Sequence, residues 1–149
     1  MSMPDRLLIR PAEVSDLAAI SRLLQDAKLV ALDADSQFGP QYVVAMRGDE
    51  VVGVAGVELH GDDGLLRSVC VSPDARSGGL GAALTANRIE WAQDRTVRAL
   101  YLLTTTAANY WPRFGFQPIA RNDAPPALTQ SHEWSSACPA ESTAMRLTL

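Results

Sequence analysis

Short apolar segments separated by turn residues recur along the chain, and two longer segments carry apolar residues three or four positions apart. Apolar runs of strand length predict β-strands, whereas spacings of three and four predict amphipathic helices. Strands are predicted at residues 7–10, 42–46, 51–59, 65–71, 99–103 and 144–149. One helix is predicted to begin at Ser15 or Asp16, and the other to span residues 80–95. The apolar stripe of the first helix consists of Leu17, Ile20, Leu23, Leu24 and Ala27.

The order of these elements predicts a mixed α/β fold. Turns at residues 47–50 and 61–64 join the second, third and fourth strands, so these three are expected to form an antiparallel meander. The remaining strands and helices alternate along the chain, which is typical of a sheet with helices on both faces. With 149 residues, the chain is expected to form a single domain, residues 1–149, around one hydrophobic core.

The fourth predicted strand runs directly into a glycine-rich turn that opens the second helix. Pro73 cannot donate a hydrogen bond to a sheet, so the strand is predicted to stop before it. The segment Ser77-Gly78-Gly79-Leu80-Gly81 places backbone N–H groups with little side-chain cover at a helix start, where anions bind. Inside a helix, glycine costs about 1 kcal/mol relative to alanine, so Gly81 in the first turn indicates close approach by a ligand.

The glycine spacing excludes two other phosphate-binding motifs. No Lys-Ser or Lys-Thr follows the glycines, as a Walker loop requires, and Leu84 stands where a dinucleotide fingerprint needs its third glycine. The order Arg76-x-x-Gly79-x-Gly81, directly after a strand ending in Val-x-Val-x-Pro, instead resembles the acetyl-CoA pyrophosphate loop of the GNAT family of N-acetyltransferases. A strand, turn and helix without a ligand is the alternative.

The GNAT resemblance implies acetyl-CoA as co-substrate and a largely antiparallel sheet in which strands four and five splay apart. The thioester would lie in the gap between the strands that end at Val71 and at Thr105. The Gly115-Phe116 step after an aromatic segment also resembles the family, in which a strand follows at this point. The residues that the resemblance assigns to the cofactor are Val69, Cys70, Val71, Arg76, Ser77, Gly78, Gly79, Leu80, Gly81, Ala82 and Asn109.

Composition and charge narrow the classes of partner. The formal net charge is −4, and the basic residues, 12 arginines and Lys28, gather in no patch, so nucleic acid and anionic membranes are not expected partners. No apolar run is long enough to span a bilayer and no signal-like segment opens the chain, so a cytoplasmic location is expected. Cys70 and Cys138 lie far apart without metal-spaced neighbours, and we expect reduced thiols and no metal site.

Acetyl transfer to an amine requires a base for the ammonium proton and hydrogen-bond donors for the oxyanion. Glu58, alone at the polar end of an apolar strand, is the leading candidate for the base, and a solvated carboxylate is the alternative. His60 lies two residues on and shares its side-chain direction if the strand continues. The resemblance implies that the oxyanion donor is the backbone N–H of Cys70 or Val71.

Two interpretations of Arg67 stay open. A charge in an apolar strand is costly unless it is paired or faces a polar cavity. Arg67 either forms a structural ion pair with Glu58 or binds a carboxylate or other oxyanion of the acceptor through its planar fork. Thr104 and Thr105, at the end of the fifth strand, either bind the acceptor or cap the helix that follows.

The proton donor for the departing thiolate also has two interpretations. Many GNAT enzymes carry a tyrosine at the position of Trp111. Either the neighbouring Tyr110 supplies the proton through a shift in register, or the thiol leaves with help from water and Trp111 only packs.

Two groups within the family resemble this chain more specifically. The segments 66–69, 100–107 and 114–116, together with Cys138-Pro139 and Met145, resemble the arsenic-resistance N-acetyltransferases. The Leu-Thr-Thr run with the later Gly-Phe step is similar to the acetyltransferase domain of bacterial N-acetylglutamate synthases. Both imply a small amino acid or an amino-bearing toxic analogue as acceptor, and homodimers are frequent in the family. An acyl-CoA sensor without catalysis and a protein-amine acetyltransferase are the alternatives.

Overall fold

The computed structural model describes residues 7–29, 39–105, 107–130, 134 and 142–149. Most of the segment between the first helix and the second strand lies outside the described residues, as does Cys138.

All six predicted strands are present, with ends that shift by at most three residues. The strands are β1 (Leu7–Ala12), β2 (Gly39–Arg47), β3 (Glu50–His60), β4 (Asp63–Val71), β5 (Ala99–Thr104), β6 (Gln117–Ile119) and β7 (Thr143–Thr148). The α-helices are α1 (Leu17–Asp26), α2 (Leu80–Asp94) and α3 (Pro126–Thr129). Short 3-10 helices span Val14–Asp16, Pro73–Gly78, Trp111–Phe114 and Arg121–Asp123. No described helix is long and apolar enough to cross a membrane.

The strands form a mixed, largely antiparallel sheet in the order β1-β2-β3-β4-β5-β7-β6, as predicted. Its parallel pair is β4–β5. The meander of β2, β3 and β4 is closed by two-residue turns, Gly48-Asp49 and Gly61-Asp62, whose glycines have φ of 62° and 65°. The second turn ends two residues earlier than predicted, because Asp63 and Gly64 already belong to β4. Strands β1 and β6 end the sheet, and they contain Pro11 and Pro118.

The chain divides into two compact units, and the first comprises Met1–Val57 and Ser68–Arg88. Successive residues of β2 belong to different apolar clusters, because successive side chains of a strand point to opposite faces. On one face, the cluster consists of Ala12, Ile20, Leu24, Tyr42, Val44, Val54 and Cys70. On the other, it consists of Val43, Ala45, Val52, Ala55, Val71, Leu80 and Leu84. Helices α1 and α2 therefore pack on opposite faces of this part of the sheet.

Tyr42 occupies the α1 face of the first unit and is fully buried. Its ring lies where a Cβ atom on Gly56, its partner across the β2–β3 ladder, would stand. A glycine at position 56 is thus required by the close approach of the tyrosine ring.

The second unit comprises Glu58–Arg67 and Ile89–Leu149. Its core is built on β4, β5 and β7 and is completed by α3 and by Trp134, whose indole packs edge-on against the ring of Tyr101 at 6.3 Å. The members of this cluster are Leu65, Ala99, Tyr101, Ala124, Leu128, Trp134 and Ala144.

A partly buried ion pair fixes the start of α1 to β1. Nη1 and Nη2 of Arg10 donate to the carboxylate of Asp16, at 2.8 and 2.9 Å, and the backbone N–H of Glu13 donates to the same carboxylate at 2.8 Å. The hydrogen bond from Arg10 is the main reason that the pKa of Asp16 lies below its usual value. The carboxylate therefore ties the strand end and the first helical turn together.

We expect Asp16→Asn to lower the free energy of unfolding by about 1–2 kcal/mol at pH 7, because the amide lacks the charge that Arg10 binds. Asp16 stabilises the fold fully above its unfolded pKa, about 3.9, and this contribution is lost as pH falls through the lower folded pKa. Urea unfolding followed by circular dichroism from pH 7 to pH 3 should therefore show the difference from the parent shrinking. Asp94→Asn, at the exposed end of α2, is the control. A difference independent of pH would contradict the assignment.

Candidate active site

The loop after β4 presents its backbone openly, as the glycine pattern predicts. The 3-10 helix Pro73–Gly78 is followed by Gly79 in the left-handed region, with φ of 74°, and α2 begins at Leu80. No atom lies within 4 Å of the place where a Cβ would stand on Gly78 or Gly79. The backbone at this helix start is therefore accessible to a ligand, and Leu80 faces the core beneath it.

Hydrogen bonds from two other strands hold this loop in place. The backbone N–H of Ser72 donates to the carbonyl oxygen of Val52 in β3, at 2.8 Å. At the end of β2, Arg47 donates to Asp74 Oδ2 at 2.7 Å, and the hydroxyl of Ser72 donates to the other carboxylate oxygen. The start of the loop is thus fixed before the glycines are reached. Sequence patterns did not reveal the role of Arg47, which lies 27 residues from Asp74.

Arg76, the first residue of the glycine motif, forms a hydrogen bond with the end of β4. Its Nε donates to the carbonyl oxygen of Val71 at 3.0 Å. The guanidinium therefore fixes the orientation of the last peptide of the strand, at a residue predicted to contact the cofactor. The side chains of Val71 and Cys70 point to opposite faces, towards α2 and α1 respectively.

Cys70 carries no reactive thiol. Its Sγ donates to the carbonyl oxygen of Leu23 at 3.3 Å, and burial raises the pKa of the thiol. A thiol held protonated against α1 is a poor nucleophile, because the thiolate is the reactive form. Any role of Cys70 in acetyl transfer would come from its backbone N–H, as the resemblance implies.

Ser68 interrupts β4 with an unusual backbone conformation. Its φ is 61°, in the left-handed region that residues other than glycine seldom adopt. The hydroxyl lies 3.4 Å from the hydroxyl of buried Tyr42. A left-handed residue within a strand breaks the regular pleat. Nothing in the local sequence marks this conformation, and it was not predicted.

The ladder between β4 and β5 ends early. Among their described residues it contains two pairs, Gly64–Leu100 and Leu65–Tyr101, although β4 continues to Val71 and β5 to Thr104. This early end agrees with the predicted splay of strands four and five.

Glu58, His60 and Arg67 form one polar cluster in the second unit. Glu58 Oε1 lies 2.6 Å from His60 Nε2, and Arg67 Nη1 donates to Glu58 Oε2 at 3.1 Å. The ion pair between Glu58 and Arg67, one of the two interpretations of Arg67, is confirmed. The pKa of Glu58 is lowered, above all by the hydrogen bond from His60 and then by the charge of Arg67, against the opposing effect of burial.

The guanidinium of Arg67 is almost fully covered, since its side chain is only 3% exposed. Direct binding of an acceptor carboxylate by Arg67 would therefore have to take place within this cluster. Binding of an acceptor by Arg67 stays a prediction.

At the end of β5, a threonine hydroxyl accepts a backbone hydrogen bond. The backbone N–H of Ala107 donates to Thr104 Oγ1 at 3.0 Å, but the helix that follows begins at Trp111 and has no side-chain cap, so the prediction that Thr104 caps it is wrong. Thr105 and Asn109 are exposed on the segment that follows. Their contacts with acceptor and cofactor stay predictions.

Tyr110 belongs to an aromatic cluster. Its ring packs edge-on against Trp111 and Phe114, with centroids 5.0 and 5.4 Å away, and the guanidinium of Arg113 lies 4.3 Å from the ring centroid. Trp111 is buried and also packs on Phe116. Trp111 thus packs, whereas Tyr110 is only partly buried.

The predicted residues fall into two groups. The glycine loop, Val69, Cys70 and Val71 belong to the first unit, and Glu58, Arg67, Thr104, Thr105, Asn109 and Tyr110 to the second. Within the described residues, no three His, Cys, Asp or Glu side chains are arranged to hold a metal ion.

The part of the chain that carries these features matches a known family. Residues 39–118, from β2 into β6, match the model of the acetyltransferase (GNAT) domain. The chain belongs to the GNAT acetyltransferase family. The match includes the glycine loop, the Glu58 cluster and Tyr110, so the family resemblance in the sequence is confirmed.

Individual proteins agree with this family assignment. The GNAT chain is 24% identical over 96 residues to the amino-acid acetyltransferase of Aeromonas salmonicida (strain A449); the match covers 63% of this chain and 22% of that protein. The chain thus spans about a fifth of the length of this curated relative. Two solved structures share the fold.

The first is N-acetylglutamate synthase from Neisseria gonorrhoeae, complexed with coenzyme A and N-acetyl-glutamate, with a TM-score of 0.80 and 20% identity over 97% of this chain and 35% of that one. The second is the ribosomal-protein-S18-alanine N-acetyltransferase from Escherichia coli, with a TM-score of 0.73 and 20% identity over 96% of this chain and 94% of that one. At this identity, both likenesses concern the fold.

We expect Arg47→Ala to weaken acetyl-CoA binding roughly two- to fivefold, because the loop loses its tie to β2 through Asp74. The melting temperature should change by less than about 2 °C, since exposed ion pairs contribute little to folding. Calorimetric titration with acetyl-CoA and thermal unfolding measure the two effects. Arg47 also lies 3.7 Å from Glu50, so Glu50→Gln is a matched control that leaves the loop tie intact. Equal losses of affinity in both variants would refute the role of Asp74.

Proposed function

We propose that this protein transfers the acetyl group of acetyl-CoA to the amine of a small, amino-acid-like acceptor. The observation that carries the proposal is the open glycine backbone at the start of the 15-residue α2, directly after β4. Helix N-termini bind anions because their first N–H groups have no partner within the helix. If the pyrophosphate of acetyl-CoA binds the N–H groups of residues 78–82, the rest of the cofactor would extend along β4.

The end of β4 would then hold the acyl arm of the cofactor. Backbone groups of Val69, Cys70 and Val71 are the proposed partners, and the N–H of Cys70 or Val71 would stabilise the oxyanion of the thioester carbonyl. The brace from Arg76 to the carbonyl oxygen of Val71 supports this role, because a fixed peptide presents its neighbouring N–H groups in one direction. Asn109 is a further proposed contact of the cofactor.

The amino-acid-like acceptor is supported by the names of similar proteins. The curated relative is an amino-acid acetyltransferase, and one structural neighbour was solved with N-acetyl-glutamate. Glu58, Arg67, Thr104 and Thr105 are the proposed acceptor contacts. The resemblance to arsenic-resistance enzymes adds amino-bearing arsenic compounds as candidates.

The reaction removes two protons from the acceptor nitrogen and delivers one to the thiolate. The acceptor ammonium loses a proton, and its lone pair then attacks the carbonyl carbon of the thioester. The C–N bond forms, the C–S bond breaks, the nitrogen loses its second proton to solvent, and the thiolate of CoA takes a proton as it leaves. Glu58 is the proposed base, and Tyr110, held by its aromatic neighbours and Arg113, is the proposed proton donor.

We expect Gly79→Trp to abolish measurable acetyl-CoA binding in calorimetric titrations, because the indole would fill the space above the helix start. Gly61→Trp is a matched control. Both glycines have positive φ, 74° and 65°, and both face open space, so the two substitutions strain the backbone similarly. Similar melting temperatures with unequal affinities would support the site. Unchanged affinity in Gly79→Trp would remove the proposed cofactor site.

We expect thiol release from acetyl-CoA in the presence of one class of small amine. Ellman's reagent would follow the reaction across the proteinogenic amino acids, amino-bearing arsenic and phosphorus analogues, and a peptide with a free N-terminus. Turnover with one small amino acid or analogue would support the proposal and name the acceptor. Turnover with the peptide alone would indicate that the acceptor is a protein amine. Tight acetyl-CoA binding without any turnover would favour an acyl-CoA sensor.

A further inference from the structure

The left-handed conformation of Ser68 marks an extra residue in β4. The two-residue turn that joins β3 to β4 sets His60 opposite Asp63, so an uninterrupted ladder would set Val54 opposite Val69. Residues directly opposite each other have side chains on the same face of a sheet. Val54, however, belongs to the cluster on the α1 face, and Val69 packs against the cluster on the α2 face. One additional residue in β4 accounts for this difference, and Ser68, with φ of 61°, is a β-bulge.

A tyrosine from β2 contacts this bulge. The ring of Tyr42 is fully buried and fills the space over Gly56 of β3, so its position is confined. Its hydroxyl lies 3.4 Å from the hydroxyl of Ser68, which is itself buried. A residue in a sparsely populated backbone region keeps that conformation only where its surroundings hold it. Tyr42 is one of the groups that hold Ser68.

The bulge comes directly before the peptides that are the proposed contacts of the thioester. The φ and ψ angles of Ser68 set the direction in which residues 69–71 continue. Beyond the bulge, the thiol of Cys70 donates to a carbonyl oxygen of α1, and Arg76 donates to the carbonyl oxygen of Val71. This short segment is thus held at its far end by Arg76 and at its near end by the conformation of Ser68.

We propose that Tyr42 is a positioning residue for acetyl transfer, which acts through Ser68 to aim the N–H groups of residues 69–71 at the thioester carbonyl. The inference rests on the proposed acetyl transfer. Hydrogen-bond donors stabilise an oxyanion only if they point to the place where its charge develops. The pyrophosphate has a separate proposed site, the N–H groups of residues 78–82. Tyr42 therefore affects the chemical step and leaves cofactor affinity almost unchanged.

The first test is Tyr42→Phe, which keeps the ring over Gly56 and removes the hydroxyl. We expect kcat to fall about three- to tenfold, the range for one hydrogen bond, while the acetyl-CoA Kd and the acceptor KM stay within about twofold of the parent. Each kcat is expressed per acetyl-CoA site counted by calorimetric titration, so that unfolded protein does not contribute. Tyr101→Phe is the matched control, because Tyr101 is also a buried strand tyrosine but belongs to the core of the second unit. An unchanged kcat in Tyr42→Phe, or an equal fall in both variants, would overturn the proposal.

Substitutions of Ser68 test whether the hydroxyl of Tyr42 acts through the bulge. Glycine adopts positive φ readily, whereas a β-branched valine resists it, so Ser68→Gly should keep at least about ten times the kcat of Ser68→Val. In a Ser68→Gly background, Tyr42→Phe should cause little further loss, because both changes remove the same contact. Independent, multiplying losses would contradict the link between the two residues. This comparison is decisive even if Ser68→Val does not fold.

Amide chemical shifts provide a readout that needs no turnover. In isotopically labelled parent protein, acetyl-CoA should shift the amide signals of residues 69–71 and of residues 78–82. In Tyr42→Phe, the shifts at 69–71 should shrink, while those at 78–82 should match the parent. Identical shifts in the two proteins would overturn the positioning role. A parent protein inactive on every acceptor would overturn the proposed function, whereas these shifts, recorded without an acceptor, would still decide the role of Tyr42.

Discussion

The alternation of side chains in β2 is the constraint on which the first unit depends. Tyr42 and Val44 face α1, while Val43 and Ala45 face α2, so both faces of this strand are buried. Strands covered on both faces must satisfy their backbone groups within the sheet, since water does not reach them. The place where the chain leaves this arrangement, after Val71, is therefore where backbone N–H groups become accessible. The glycine loop lies at that place and is held there by bonds to β2 and β3.

Short-range patterns in the sequence predicted most of the fold. Strand bounds follow from apolar runs, and the loop after β4 follows from Pro73 and the glycines, because both signals act within a few residues of the structure they specify. The ion pair between Glu58 and Arg67 could also be predicted, since a lone charge in an apolar strand requires a partner. These features depend on neighbours in the same hairpin.

Long-range contacts could not be predicted in this way. Arg88 occupies a core position of α2, following Leu80 and Leu84 in the same row, and is buried because its guanidinium donates to the carbonyl oxygen of Gln41. The tie between Arg47 and Asp74 and the left-handed conformation of Ser68 likewise depend on partners far away in sequence. Each becomes evident only when the strands are assembled, because no local pattern encodes the partner.

The two prolines at the ends of the sheet bear on how copies of this protein could associate. Pro11 lies in β1 and Pro118 in β6, and neither residue has an N–H group to offer a strand from a neighbouring molecule. Unpaired strand edges are templates for intermolecular pairing, and proline is one of the residues that block it. A continuous intermolecular sheet is therefore disfavoured at both margins, and a dimer of this chain would have to bury helix faces or loops instead.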